Sequence, residues 1–522
     1  MSFTGDAQSQ LQGLRNKFDS YQVENASKAS LYDGKFRVKD LGISLPPHMA
    51  SIDSVVGWPG TVVDVLEERL DFDGWTDESL DALYARNDLD VKASLAHSDA
   101  LLFGTSFVTV TAGEPGEPDV VVDPVSPRQM VVSRDPRRGL VTAAAQFIDA
   151  ELGSGEASQA VLFRPDETVW MEQGGGGWRV VDVDEHRLGR VQVAQLVNRA
   201  RSSKTGGRSE ITPAVRSYTH SALRTLVGAE VAREFYAVPQ RYMMGAPESF
   251  FLDENGEPRG AWEAMMGKVL AVERDPDTGE IPTVGQFTAY SMAPFFEQVR
   301  HYSQLLAAET SIPPTYLGFV TDNPSSADAI RMAENRLVKR AERRQAMFGK
   351  AWTEVARLIL MVRDGRPFAA LTDEELAIRP LWRDAATPTR AAAADEVVKM
   401  ISAGVYTAQG DYALKRLGLS PMDREMLRRD RAADTQGVLA RLEASLSQPN
   451  PAADALASTG DTMDAGESSG VEAAQELKAK ADAMGVLIRS GVTPESAAQQ
   501  AGLSGLNFLD ARPVTLDFEN GN

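Results

Sequence analysis

The sequence predicts an α+β chain: a β-rich N-terminal half, then long helices carrying a small insert, then a helical C-terminal third. Three observations carry this reading. Between Phe107 and Asp182 short β-branched runs alternate with turn signals such as Glu114-Pro115-Gly116 and Asp135-Pro136, the mark of antiparallel strands. From Pro294 to Gly365 two helical patterns meet at the break Ile312-Pro313-Pro314. Proline offers no amide hydrogen and clashes with the preceding turn, so no helix crosses that point. Ahead of them, a compact insert separates an earlier helix from the Pro294 helix.

Taken in order, residues from about Asp6 to Asn25 put Leu11, Leu14, Phe18 and Tyr21 on one side of a helix. Tyr32 to Pro47 is irregular and rich in turn formers. Helices are expected over Thr61 to Leu70 and over Asp77 to Leu102, the second stopping at Gly104. Strands follow at Phe107–Val110, Val120–Val122, Val131–Val132, Ala143–Ile148, Ala160–Phe163, Val169–Glu172 and Trp178–Asp182. The glycine run Gly174 to Gly177 lies between two strands with no helix behind it, so it reads as a hairpin tip. Thr212 is placed to cap a helix whose first residue is Pro213, with Val215, Tyr218, Ala222, Leu226 and Ala229 on one face. Gln240 to Ala289 alternates short strands and turns. The helix from Pro294 to Thr310 shows Phe295, Val299, Tyr302 and Leu306 at helical spacing. After the loop Thr315 to Pro324, Ser325 and Asp328 stand as a capping box. The helix behind them has no breaker until Gly365 and Pro367, roughly thirty-five to forty residues, long for a globular core. A strand-like piece, Leu376 to Trp382, precedes helices over Pro388–Ala403, Ala408–Leu417 and Pro421–Leu446. Gln448 to Gly470 has the composition of a mobile linker. In the last helical segment, Val471 to Ala501, Leu487-Ile488-Arg489-Ser490-Gly491-Val492 parallels Met400-Ile401-Ser402-Ala403-Gly404-Val405; two copies do not make a solenoid.

The 522 residues carry 54 Lys and Arg against 74 Asp and Glu, a formal charge of −20, and no cysteine. Disulfides and thiolate metal sites are therefore excluded, in keeping with folding in a reducing cytoplasm. Met1 to Tyr21 is too polar for a signal peptide, and no run approaches the twenty or so apolar residues of a membrane span. A surface this acidic repels phosphate, which argues against tight grip on nucleic acid. It serves solubility, and it would also serve a surface past which DNA slides.

The search for chemistry returns little. His48, His97, His186, His220 and His301 are scattered and lack the spacing of a zinc pair. There is no phosphate loop, Rossmann fingerprint or nucleophile elbow. The acidic turn with Asp275, Asp277 and Glu280 lacks the ligand ladder of a calcium loop and reads as solvated. No cofactor is implied. Arg336, Lys339, Arg340, Arg343 and Arg344, with Lys350, form a basic cluster on the long helix. Two readings stand for it: a stripe facing DNA or an acidic neighbouring subunit, or a solvated face partly neutralised by Glu334 and Glu342. An enzyme built from dispersed carboxylates such as Glu67, Asp71 and Asp73 is an alternative without a partner constellation. An adaptor or scaffold of some other assembly is another.

A set of short stretches, in order, resembles the portal proteins of tailed double-stranded DNA phages, in particular the Gp6-like (SPP1-type) family in phages of actinobacteria. They are Tyr32-Asp33-Gly34-Lys35, Leu41-Gly42-Ile43-Ser44-Leu45-Pro46-Pro47, Val56-Gly57-Trp58, Asp73-Gly74-Trp75 and Ala100 to Val108. Asn198-Arg199, Gly207-Arg208-Ser209-Glu210-Ile211, Pro239-Gln240-Arg241 and Ile312 to Gly318 continue the series. No one of them is specific; their order and spacing are, and they span roughly Asp6 to Leu446. The resemblance implies a ring, usually of twelve copies, at one capsid vertex, with no enzymatic activity. Double-stranded DNA would be packaged through it by terminase, whose large subunit docks on it, and later ejected. The major capsid protein, the scaffold and a head-completion or adaptor protein would be further partners; assembly would take place in the host cytoplasm, away from any membrane. It further implies a β-rich wing (1–211), a first stem helix (212–237), a small α/β clip (238–292) and a second stem helix (293–310). A tunnel loop (311–324), a long helix returning through the wing (325–387) and crown helices (388–447) would follow, then the linker (448–470) and a helical tail (471–522). On this reading Thr321, Asp322 and Asn323 face DNA at the loop tip, and Asp275, Asp277 and Glu280 lie on the terminase-docking clip.

Overall fold

The computed structural model describes residues 3–37, 54–148, 157–175, 177–236, 241–244, 279, 281, 283–286, 291–318, 327–386, 390–407, 410–419, 423–424, 426–432 and 498–499. Contacts divide the chain into two compact units, Met1–Leu427 and Arg428–Asn522. The sheets and the long helices all belong to the first.

Helix α1 (Phe3–Tyr32) buries Leu11, Leu14 and Phe18 of the predicted stripe, with Ala7 one turn ahead, whereas Tyr21, placed with them by its spacing, is exposed. They press on a five-stranded antiparallel meander whose spatial order is its chain order: β4 (Met130–Arg134), β5 (Val141–Ile148), β6 (Gln159–Phe163), β7 (Thr168–Gly174) and β8 (Gly177–Asp184). Strand side chains alternate faces, and along β4 to β6 both faces are covered. Val131, Ala143, Ala145 and Phe147 meet α1. Met130, Val132 and Ala144 form a second core with Phe107, Val125, Val191 and Val193. The last group belongs to, or adjoins, a three-stranded antiparallel sheet in the order β3 (Val120–Val125), β2 (Thr105–Ala112), β9 (Val193–Val197). Double coverage is why these strands read as apolar runs instead of strict alternation. The glycine run is the expected hairpin tip, with Gly174 opposite Gly177.

The largest core gathers around a 38-residue helix, α7 (Ala327–Asp364). Leu337, Ala341, Phe348, Trp352, Val355 and Ile359 are buried along one stripe, and by Leu358, Leu360 and Met361 the burial runs all round. The helix ends at Gly365, in the left-handed region with φ 61°. Against it pack α2 (Trp58–Glu67), α4 (Leu89–Phe103) and a two-stranded pairing of β1 (Phe72–Trp75) with β12 (Pro380–Trp382). Phe72 stacks on Trp352 at 4.4 Å between centroids, and Trp75 Nε1 donates to the Trp352 carbonyl at 2.8 Å.

Helices α5 (Pro213–Tyr236) and α6 (Ala293–Thr310) form the rods expected on either side of the insert. The Val215 amide donates to Thr212 Oγ1 at 3.3 Å, so Thr212 is the predicted cap. Gly228, near the end of α5, lies against Phe295, near the start of α6, so the rods run antiparallel. Beyond them β10 (Arg241–Met244) pairs antiparallel with β11 (Thr283–Gln286), closing the base of the insert. Most of the rest of the insert, Asp275, Asp277 and Glu280 included, falls outside the described residues.

Four expectations need correction. The single helix over Asp77–Leu102 is three pieces: a 3₁₀ turn at Glu78–Leu80, α3 (Asp81–Arg86) and α4. Its break is at Asn87 and Asp88, the latter with φ 52°. Buried Asn87 donates to the carbonyls of Leu83 and Val120 and accepts from the Val122 amide, so it docks the edge of β3 at the cost of helical continuity. α2 starts three residues before Thr61 because Pro59 suits a first turn. The piece from Leu376 is not all strand: Asp373–Leu376 is a helical turn (α8) closed by a Thr372–Glu375 capping box. β1 and β9 were not foreseen; β1 is four residues long and its partner lies some 300 positions on. Further helices are α9 (Arg390–Ser402) and α10 (Asp411–Arg416), inside the segments expected to be helical. The linker 448–470 and all of the last helical segment but 498–499 fall outside the described residues.

Candidate functional site

The strongest concentration of charge lies where the N-terminal half of α7 meets the segment 198–212. That segment is held by a close crossing of two glycines. A Cβ on Gly207 would stand 2.0 Å from the Gly104 carbonyl oxygen, so only glycine fits. The Asn198 amide donates to Gly104 O at 2.9 Å, the Arg208 amide to Asn198 O at 2.8 Å, and the Glu210 amide to Leu101 O at 2.9 Å. The chain is thereby fixed against the end of α4, and the Glu210 side chain is left fully buried and facing α7.

Glu210 is the centre of an ion-pair node. Arg344 Nη2 donates to its Oε1 at 2.6 Å, Arg340 Nη2 to its Oε2 at 2.6 Å, and Arg199 Nη1 to the same Oε2 at 3.2 Å. Asn198 Nδ2 donates to Oε1 at 3.1 Å while its Oδ1 accepts from Arg344 Nε at 3.1 Å. Burial pushes the Glu210 carboxyl up, but Arg344, Arg340 and Arg199 together outweigh it and hold the group below its ordinary value. Every strong donor and acceptor at the centre is satisfied, the condition under which a buried charge is tolerated.

This divides the predicted basic cluster. Arg340 and Arg344 are neither on a solvated face nor free for DNA; they are committed inward to Glu210. Arg336, Lys339 and Arg343 stay on the outside. Glu342 does neutralise Lys339, at 2.6 Å, as the second reading had it. Glu334 does not serve the stripe: it accepts from Tyr316 Oη at 2.6 Å and pairs with Arg69 at 3.3 Å. Arg336, Lys339 and Arg343 line an open cleft of about 540 Å³ together with Arg199 and the flanks of Arg340 and Arg344.

The same end of α7 receives the loop that follows α6. Ser311 turns the chain at φ 59°, Ile312 is buried, and a 3₁₀ turn over Pro314–Leu317 ends at Gly318 with φ 88°. Tyr316 Oη also accepts from Arg69 Nη2 at 3.2 Å, so the root of the loop is clamped to α7 and to the chain just after α2. Thr321, Asp322 and Asn323, like the Ser325–Asp328 capping pair, fall outside the described residues or rest on one that does.

Of the carboxylates in the enzyme alternative, Asp73 pairs with Arg424 at 3.5 Å and Arg383 at 3.7 Å. Among the described residues no three His, Asp or Glu side chains are placed to share a metal ion, and no helix is long and apolar enough to cross a membrane. The sequence reading assigned Glu210 no role. A signal existed: six cations between Arg336 and Lys350 face too few acids on their own helix, which calls for a carboxylate from elsewhere in the chain.

The family model described as "Phage portal protein, SPP1 Gp6-like" matches residues 53–417. The chain is 35% identical over 430 residues to the portal protein of Mycobacterium phage D29, covering 79% of this chain and 86% of that one. It is 34% identical over 429 residues to the portal protein of Mycobacterium phage L5, with the same coverage. Among solved structures it is similar to a chain in the virion of a native gene transfer agent particle, at 15% identity and a TM-score of 0.39, over 70% of this chain and 90% of that one.

Proposed function

The chain belongs to the phage portal protein family of the SPP1 Gp6-like type, and from that premise we propose that it assembles as a closed ring around a DNA channel at one capsid vertex. The observation that carries the proposal is the family match over residues 53–417, which takes in both antiparallel rods, the ribbon between them and the whole of α7. Its role in the virion is structural, without catalysis. In the ring, twelve copies strong as the resemblance implies, α5 and α6 are stem helices and the insert 238–292 is the clip. There terminase docks during packaging and the head-completion protein afterwards, and Asp275, Asp277 and Glu280 are candidates for the contact. Residues 311–324 are the tunnel loop, Thr321, Asp322 and Asn323 its DNA-facing tip, and α9 and α10 lie in the crown. The major capsid protein and scaffold meet the ring's outer surface, and assembly takes place in the host cytoplasm.

Charge fits this use. Each contact between a cation and a phosphate must be broken for the duplex to advance, and the cost accumulates per phosphate. A chain of net charge −20 limits such contacts, which favours sliding over binding. The test is direct imaging of the purified chain by negative stain. Rings with a central hole wide enough for a duplex are expected; a compact particle without a pore at every concentration, or dimers or filaments, would refute the assignment.

A further inference from the structure

The two faces of α7 near its start carry opposite charge. Glu334 and Gln345 both touch Arg69, at 3.3 and 3.2 Å, so they mark the side of the helix on which the end of α2 sits. At about 100° per residue, Gln345 lies roughly 20° from Glu334 around the helix, whereas Arg336 and Arg343 lie roughly 200° and 180° away. Basic cleft and α2 terminus are therefore on opposite sides of one rigid rod.

On the cleft side, Arg336 and Arg343 are exposed, lie seven residues apart on one stripe, and have no ion-pair partner among the described residues. Among the described residues, Glu309 is the one carboxylate lining that cleft. The α2 side is the reverse. Asp64, Glu67, Glu68 and Asp71 crowd together; Glu68 and Asp71 are exposed, and neither has an ion-pair partner among the described residues. Arg69, the cation between them in sequence, is buried and turned inward to Glu334 and Tyr316. Burial first, and then the charges of Asp71, Asp64 and Glu68, push the Glu67 carboxyl up against a hydrogen bond from Ser94, so like charge is crowded at the cluster.

We propose that the cleft walled by Arg336 and Arg343 in one copy receives the Glu68–Asp71 ridge of the adjacent copy. A ring needs a heterologous contact, in which two different patches of the same molecule meet around a closing rotation. Unlike charges on opposite sides of one helix supply such a pair. The pairing also answers a difficulty of assembly: identical copies of charge −20 repel one another unless their local contacts are complementary. The alternative occupant, DNA phosphate, fits the cleft alone and leaves the acidic ridge without a function. This inference rests on the ring reading and names the charges that join its members.

The experiment compares the parent with two double variants, Arg336→Glu with Arg343→Glu and Glu68→Lys with Asp71→Lys, by mass photometry in low salt. Ring formation by the parent tests the ring reading; only the variants test the pairing. Each double variant alone is expected to remain a 56.6 kDa monomer where the parent is a ring. Mixed in equal amounts they should assemble again, because each reversed cleft then meets a reversed ridge, and one chain with all four substitutions should assemble alone. Rings from either double variant alone overturn the proposal. So does failure of both rescues when the monomers melt with the parent. Loss of duplex binding by normally formed Arg336→Glu, Arg343→Glu rings would give the cleft to phosphate instead. If charge reversal prevents folding, Arg336→Gln with Arg343→Gln is read instead: assembly should weaken about tenfold at low salt and approach the parent near 1 M, where surface pairs are screened.

Discussion

Glu210 shows how a single buried carboxylate can organise an otherwise surplus set of cations. Remove it and Arg344, itself buried, keeps its charge without a counter-ion, while Arg340 and Arg199 can turn partly to solvent. Breaking one member of a buried pair costs about 3–5 kcal/mol. Glu210→Ala is therefore expected to lower the unfolding free energy of the first unit, read from urea titration, by an amount in that range; a loss under about 1 kcal/mol would mean that the node is wet or redundant. His97 makes the second prediction at this scale. It is fully buried, its Nε2 accepts from Trp352 Nε1 at 2.9 Å, and burial pulls its pKa down to about 3. The unfolded chain takes up a proton near pH 6.5 and the folded one does not, so stability falls as pH drops from 6.5 toward 3. The contribution is about 1.4 kcal/mol per pH unit. Equilibrium unfolding between pH 6.5 and 4.5 should be less pH-dependent in His97→Gln than in the parent by that slope. Parallel curves would show that His97 titrates normally in the fold.

Among elements, α7 was the most legible, since its stripe and its stop at Gly365 are local properties. The rods α5 and α6 were equally so, because Thr212-Pro213 starts one and Ile312-Pro313-Pro314 ends the other. What periodicity could not convey was the break at Asn87–Asp88, whose cause is a strand edge more than thirty residues away. The short strand β1 was missed for the same reason, its partner being β12 at the other end of the unit. The root of the loop after α6 is tied down by Tyr316 to Glu334 and Arg69, so its tip can change without disturbing that clamp. Deleting Thr321 to Asn323 is accordingly expected to leave rings intact by negative stain and to reduce DNA packaged per particle. Loss of rings would assign the loop to assembly. The basic stripe was visible as composition, but its division into inward Arg340 and Arg344 and outward Arg336 and Arg343 was not. All four lie near one face of the helix, and the position of Glu210 decides which of them are held inward.

Over the whole molecule, the excess of acid argues for a channel whose wall holds DNA weakly, with basic rings at most narrow. Purified rings should then bind duplex with a shallow salt dependence, well below the slope of a protein that grips about six to ten phosphates. A steep slope would indicate a lumen lined with Lys and Arg. The stretches that carried the family resemblance are dispersed in the sequence, yet several converge in space. Ala100 to Gly104, Asn198-Arg199 and Gly207 to Glu210 meet at the glycine crossing and the Glu210 node. Local pattern alone determined the rods, the strands of the meander, the stop at Gly365 and the family, because spacing, turn chemistry and proline act between near neighbours. Tertiary structure decided which charges are spent inside the fold and which remain outside, because the role of a guanidinium such as Arg340 depends on a carboxylate 130 residues away.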